Sequence, residues 1–113
     1  MKAKNLCCIE SELVHSGSVT AWTFFRADDF LSKILWFNDN LIQPGVAIEP
    51  HEHEDIEEVY YVLQGQGKMR IGKQGRSVSE GDAIYLPPRK THTLRNTGTY
   101  PLKFVCIRAK VSR

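Results

Sequence analysis

The sequence predicts an all-β domain, either a sandwich or a barrel. Three observations carry that expectation: the β-branched and aromatic runs are short, turn residues separate them at close intervals, and only one segment suits a helix. Val19 to Phe25 (VTAWTFF) reads as a strand. Asp28 and Asp29 are placed to cap one helical turn over Phe30 to Ile34. Ile34 to Ile42 reads as the next strand, stopped by Pro44-Gly45, although Asn38, Asp39 and Asn40 in its middle are unusual for a buried strand. Val59 to Leu63 (VYYVL) is the plainest strand; Gly65-Gln66-Gly67 ends it and Lys68 to Ile71 pairs back as a hairpin. Ser77 to Ser79, Ala83 to Leu86, Thr91 to Arg95 and Leu102 to Ala109 bring the expected total to about eight to ten strands. Strands this short leave open edges, which a double or closed sheet protects.

With 113 residues, 42% of them hydrophobic and 25% charged, the chain has material for one core and an ordinary globular composition. The net charge is only +2 and the basic residues are scattered, so there is no basic face for nucleic acid. Leu6 to Ile9 is too short for a signal sequence and Glu10 and Glu12 follow it; nothing approaches the ~18 apolar residues of a membrane span. A cytoplasmic protein is expected, with Cys7, Cys8 and Cys106 held as thiols and serving as small apolar filler.

Chemistry concentrates around His51-Glu52-His53. Residues i and i+2 of a strand project from one face roughly 6.5–7 Å apart, so two such imidazoles can lean toward a single metal ion. The alternative is an exposed polar turn, since Glu49, Glu52, Glu54, Asp55, Glu57 and Glu58 surround the pair. Glu58 shares a strand face with Tyr60 and Val62, and Glu57 shares the other with Val59, Tyr61 and Leu63. Both faces mix apolar and polar groups, so periodicity leaves open which glutamate points inward.

Gly45, His51, His53, Glu58 and Gly65 follow the pattern Gly, five residues, His-x-His, four residues, Glu, six residues, Gly. Gly81, Pro87, His92 and Asn96 follow a second pattern: Gly, five residues, Pro, one residue, Gly, two residues, His, three residues, Asn. In these two blocks the chain resembles the cupin superfamily. Arg89 stands where the second block usually has glycine, so the Pro87-Pro88-Arg89-Lys90 turn is expected to be reshaped. Residues 66–80, between the blocks, leave room for one hairpin.

The resemblance implies a small double-stranded β-helix, or jelly-roll barrel, over residues 31–113, with residues 1–30 packing on that barrel or on a dimer partner. It also implies His51, His53, Glu58 and His92 as ligands of one divalent transition metal. Three imidazoles and a carboxylate suit Fe, Mn, Ni, Co, Cu or Zn and leave exchangeable positions on an octahedral ion. Side chains in phase with those ligands are the expected pocket: Tyr60, as a proton donor or hydrogen-bond donor, and Val62 after Glu58, and Leu94 after His92. Asn38 and Asn40 are expected pocket groups on the preceding strand. His15, in a His-Ser-Gly-Ser loop, is expected on the polar surface. Carboxylates of the Glu49 to Glu58 run near a metal entrance would disfavour strongly anionic substrates; otherwise they are a solvated loop.

Two function classes fit. One is a metal-dependent enzyme on a small oxygen-rich molecule, a dioxygenase-like oxidoreductase or a lyase or isomerase. The other is a non-catalytic module holding a metal and a small ligand. Outward Tyr61 and Leu63, with Trp22, Phe24, Trp36 and Phe37, exceed what one small barrel interior needs, so a homodimer burying part of residues 1–37 is expected.

Overall fold

The computed structural model describes residues 1–111. Nine strands are found among them: β1 (Glu12–Val14), β2 (Val19–Arg26), β3 (Ile34–Ile42), β4 (Ile56–Gln64), β5 (Gln66–Ile71), β6 (Gln74–Ser79), β7 (Ala83–Leu86), β8 (His92–Asn96) and β9 (Leu102–Lys110). They form a six-stranded sheet, β1-β2-β3-β9-β4-β7, and a three-stranded sheet, β6-β5-β8, with every pairing antiparallel. No described helix is long and apolar enough to cross a membrane. Residues 1–30 are not an appendage: β1 and β2 extend the larger sheet through β3. Residues 112 and 113 of the expected barrel segment lie outside the described ones.

Strand β4 shows why the sheets close on a core. Glu58, Tyr60 and Val62 are buried while Val59, Tyr61 and Leu63 face outward, the period of two expected when one face is covered. Val62 and Phe104 of the larger sheet meet Met69 and Leu94 of the smaller one, with Ile42, Ile48 and Leu102 completing the centre. The turn into β5 needs Gly65: its φ is +94°, and an added Cβ would lie 2.9 Å from the Pro101 carbonyl oxygen.

The helical turn expected over Phe30 to Ile34 is not formed. A 3-10 turn covers Ala27–Asp29 instead, because Asp29 accepts a hydrogen bond from the Arg26 amide at 3.0 Å and closes the turn behind it. The polar centre of β3 is resolved strand by strand. Asn38 and Asn40 face inward toward a cavity, while Asp39 points the other way and meets Lys103 Nζ at 3.3 Å. The last residue of the second motif is a clamp: Asn96, 1% exposed, donates to the Ile42 and Tyr100 carbonyls at 2.8 Å each and accepts from the Gly98 amide at 2.9 Å.

The segment between β3 and β4 lies along β8. Ile48 N–H donates to Leu94 O at 2.9 Å, and His51 and His92 exchange both backbone hydrogen bonds, at 3.2 and 2.9 Å. Two histidines separated by forty positions of sequence become direct partners through their backbones.

Candidate metal centre

That backbone bridge sets the geometry of the site. The His51 and His92 rings sit 4.2 Å apart between centroids, and the His53 ring lies 5.1 Å from His51 and 6.3 Å from His92. Glu58 enters from β4 in the opposite sheet, 3% exposed, with Oε1 3.6 Å from His92 Nε2. Ligand atoms of His51, Glu58 and His92 all lie within 4.8 Å of one another. His53 stands at the edge of this cluster. Glu57 faces the other way, accepting from the Tyr85 hydroxyl at 2.8 Å.

Whether a metal fits is tested by unmet bonding capacity. Nε2 of His51, His53 and His92 and Oε1 of Glu58 are all buried with no hydrogen-bond partner. Such atoms cost about 1–3 kcal/mol each when left unpaired, and buried polar groups are ordinarily satisfied. Three of them, on His51, Glu58 and His92, converge as a cation would require, and the fourth, on His53, stands at the edge of the group. The tautomer at His51 also suits it: Nδ1 lies 3.0 Å from the Glu49 carbonyl, which holds the proton there and leaves the Nε2 lone pair facing the cluster. Burial pulls the His92 pKa down to about 4, with the neighbouring His51 adding to the effect, and burial lowers that of His53 as well, so both are neutral donors at pH 7.

Residues 41–108 match the sequence profile of the cupin domain. The chain belongs to the cupin family. Among curated relatives, an uncharacterized protein of Methanocaldococcus jannaschii is 43% identical over 56 residues, half of this cupin and 45% of that protein. An oxalate-binding protein of Thermotoga maritima is 29% identical over 76 residues, 67% of this cupin and 63% of that protein. The match therefore spans about half to under two thirds of those relatives' own lengths. A solved Thermotoga maritima structure described as a predicted oxalate decarboxylase superposes with a TM-score of 0.88 at 22% identity, covering 95% of this chain and 97% of that one. The polyketide cyclase RemF of Streptomyces resistomycificus superposes with a TM-score of 0.81 at 21% identity, covering 100% and 81%. At these identities the superpositions establish the fold.

Glu58 is also part of the wall of a cavity of about 280 Å³, lined further by Asn38, Asn40, Tyr60, Phe104, Cys106 and Arg108 and reaching the surface beside Glu12 and Arg26. His51, His53 and His92 are not part of this wall. Arg108 is the charge that matters here. It is 7% exposed, its guanidinium stacks on Trp36 at 4.0 Å, and Nε is 3.2 Å from Glu58 Oε2. The Cys106 thiol donates to the same oxygen at 3.3 Å, and burial, reinforced by the Glu58 charge, pushes its pKa up, so it stays protonated. Oε2 is thus occupied and Oε1 is left for a cation.

Of the other expected pocket residues, Asn38, Asn40 and Tyr60 line the cavity. Asn40 Nδ2 donates to Asn38 Oδ1 at 2.8 Å, which orients the Asn38 amide with Nδ2 free for a ligand. The Tyr60 phenol makes no hydrogen bond among the described residues, and burial, with Glu58 adding to it, raises its pKa, so it is a neutral donor. Val62 and Leu94 are not in the wall. Both are fully buried in the core: alternation places them inward, where they pack in the apolar cluster between the sheets and not on the cavity.

Three further expectations are corrected or refined. Of the exposed acids in the run, Glu54 and Asp55 flank a separate surface depression and Glu49 another, and none of the run except Glu58 lines the cavity. They are the solvated loop. Arg89 keeps the glycine conformation, at φ 61°, and its amide donates to the His53 carbonyl at 2.7 Å, so the turn is preserved at a steric cost of about 1–2 kcal/mol. His15 is not polar surface. It is half-buried, lines the cavity, and its ring centroid is 4.9 Å from that of His51. Its pKa falls to about 4 through burial first and the neighbouring His51 second. Sequence offered one signal, a histidine beside Ser16 and Gly17 in a tight hairpin, but nothing local said where that hairpin points.

Proposed function

We propose that this cupin holds one divalent transition metal through His51, His53, Glu58 and His92 and takes, at that metal, a small oxygen-rich dicarboxylate of the oxalate class. The observation that carries this is the buried guanidinium beside the ligand cluster. A divalent cation, the Glu58 carboxylate and the Arg108 guanidinium together leave two net positive charges at the cavity wall, which a dianion neutralises. The cavity sits at the small end of ligand pockets, and Asn38 Nδ2 and the Tyr60 hydroxyl are donors suited to carboxylate oxygens. The oxalate-binding relative from Thermotoga maritima supports the same ligand class.

The metal would supply Lewis acidity, or redox chemistry if it is Fe, Mn or Cu. Arg108 and Asn38 would bind and orient the acid, Phe104 would limit water, and Tyr60 would hold a proton facing it. That neutral phenol, unengaged by the protein, favours turnover over simple storage: dioxygen-dependent oxidation, or lyase-type cleavage, of the bound acid.

Titration of metal-loaded and chelator-stripped protein with oxalate, formate and glycerol tests this. Oxalate is expected to bind only the loaded form and more tightly than formate, with glycerol inert. Equal oxalate binding to stripped protein, or preference for the neutral polyol, would overturn the assignment. Loss of oxalate during incubation with and without dioxygen separates oxidation, cleavage and mere binding.

We further propose a cytoplasmic setting, where the three free thiols stay reduced, and a homodimer. Of the side chains expected at its seam, Trp22, Phe24, Trp36 and Phe37 are half-buried, while Tyr61 and Leu63 are joined by Val59, Tyr85 and Ile107, each 40% exposed or more and made neighbours by strand register on the outer face of the larger sheet. Light scattering should give twice the 12.9 kDa chain mass at micromolar concentration, and Tyr61→Lys should halve it. A monomer at that concentration would refute the dimer.

A further inference from the structure

The hairpin joining β1 to β2 lies outside residues 41–108, where the cupin match falls. Its backbone is unusual. His15 has φ 52° and Ser16 φ 57°, two successive non-glycine residues in the left-handed region, followed by Gly17 at φ 87°. Local bonds hold it there: the Gly17 amide donates to Val14 O at 3.1 Å, and the Ser18 amide and hydroxyl both donate to His15 O, at 3.2 and 2.7 Å. The strands on either side are tied as well. Glu12 on β1 accepts from Arg26 at 2.9 Å and from Thr23 at 3.3 Å, both on β2. Glycine or asparagine would take this backbone with less strain, yet the chain has an imidazole whose own side chain makes no hydrogen bond among the described residues.

The position of that imidazole gives the strain a purpose. The ligand cluster and the cavity meet at two places. One is Glu58, a ligand that is also wall. The other is His15, which lines the cavity while its ring packs 4.9 Å from His51, tilted 42°. His15 is not itself within the cluster of convergent ligand atoms. His15, Glu58, Arg108 and Asn38 all line this one cavity, so a group bound in it beside Glu58 has the His15 ring among its neighbours.

We propose that His15 is a ligand-contacting specificity residue, held in a strained turn so that its imidazole hydrogen-bonds the outer oxygen of an anion bound at the metal. The dicarboxylate identity of that anion rests on the function proposed above, but the contact does not. Backbone strain retained beside a binding cavity is the pattern expected when a side chain's placement matters more than local stability.

The test uses full-length protein loaded with Co(II), titrated with oxalate and separately with azide, and followed by visible absorption, with melting temperature and cobalt content measured alongside. His15→Gly and His15→Asn both suit the left-handed backbone. Each is expected to keep its cobalt and to melt at the wild-type temperature or a few degrees higher. Each should bind oxalate about tenfold or more weakly, the loss of one charge-assisted hydrogen bond. Wild-type oxalate affinity in both variants overturns the inference, and so does loss of cobalt, which would make His15 a metal-site scaffold. If the wild type takes azide but not oxalate, the dicarboxylate assignment fails and His15 is judged on azide alone: a tenfold weakening upholds it and parity ends it. If neither anion alters the spectrum of the wild type, both proposals fall.

Discussion

Metal binding should act as a large part of this protein's folding energy, and the four unpartnered ligand atoms allow the size to be worked out. Nε2 of His51, His53 and His92 and Oε1 of Glu58 are buried without hydrogen bonds, each costing about 1–3 kcal/mol, so the metal-free fold carries on the order of 4–12 kcal/mol of unmet bonding that a cation relieves. What a melting experiment reads is smaller and set by mass action: at a thousandfold excess over Kd the folded state gains about 4 kcal/mol. An unfolding entropy of about 2.1 cal/mol/K per residue converts that to a rise of roughly 17 °C for a chain of this length. The assay is thermal unfolding by circular dichroism on chelator-stripped protein, with Mn, Fe, Co, Ni, Cu and Zn added in turn. His92→Ala should abolish the rise, as should Glu58→Ala, while Glu57→Ala should leave it intact because Glu57 is engaged with Tyr85 on the other face. A shift below about 2 °C with every metal, or a full shift in His92→Ala, would refute the ligand assignment.

Other consequences follow from the same contacts. In metal-free protein the folded-state pKa of His92 is about 4 against 6.5 unfolded, so the unfolded chain binds the proton first; stability is complete above pH 6.5 and falls as pH drops toward 4. Urea midpoints at pH 7.5 and 4.5 should show this, with a shallower slope in His92→Ala. Arg108→Met leaves the Glu58 carboxylate buried without its cation, which should cost about 3–5 kcal/mol in stripped protein and clearly less once metal supplies positive charge; equal losses in both forms would contradict the ion-pair account. Asn96→Ala removes three hydrogen bonds at a 1% exposed site and should lower stability by about 2–4 kcal/mol in chemical denaturation without changing metal stoichiometry.

Strand positions were legible in the sequence because alternation is local. Ile34–Ile42 and Ala83–Leu86 follow directly from β-branched runs and their turn residues. The all-β class and the cupin family follow from those runs and from two motif blocks whose spacing fixes glycines, histidines and a glutamate relative to one another. Local pattern failed where a side chain's role depended on a distant strand. Glu12–Val14 carries no strand signature of its own and is a strand only because β2 is beside it.

The choice between Glu57 and Glu58 lies at the same boundary. Motif spacing selected Glu58, but what turns it inward is β4 lying between β7 and β9, with Arg108 and Cys106 delivered by β9 to hold one of its oxygens. Neither partner is predictable from residues near Glu58, since each lies about fifty positions away. Val62 and Leu94 share the phase of the ligands yet fall in the core, because phase specifies a face and not a depth along it. His15 shows the limit most clearly. Its turn is written in Ser16 and Gly17, but its proximity to His51 exists only because β1 and β2 extend the sheet over the cavity. Sequence by itself determined most of the strands, the family and the candidate residues of a metal site; tertiary packing decided the charge of the cavity and which side chains line it, since those depend on contacts between residues far apart in the chain.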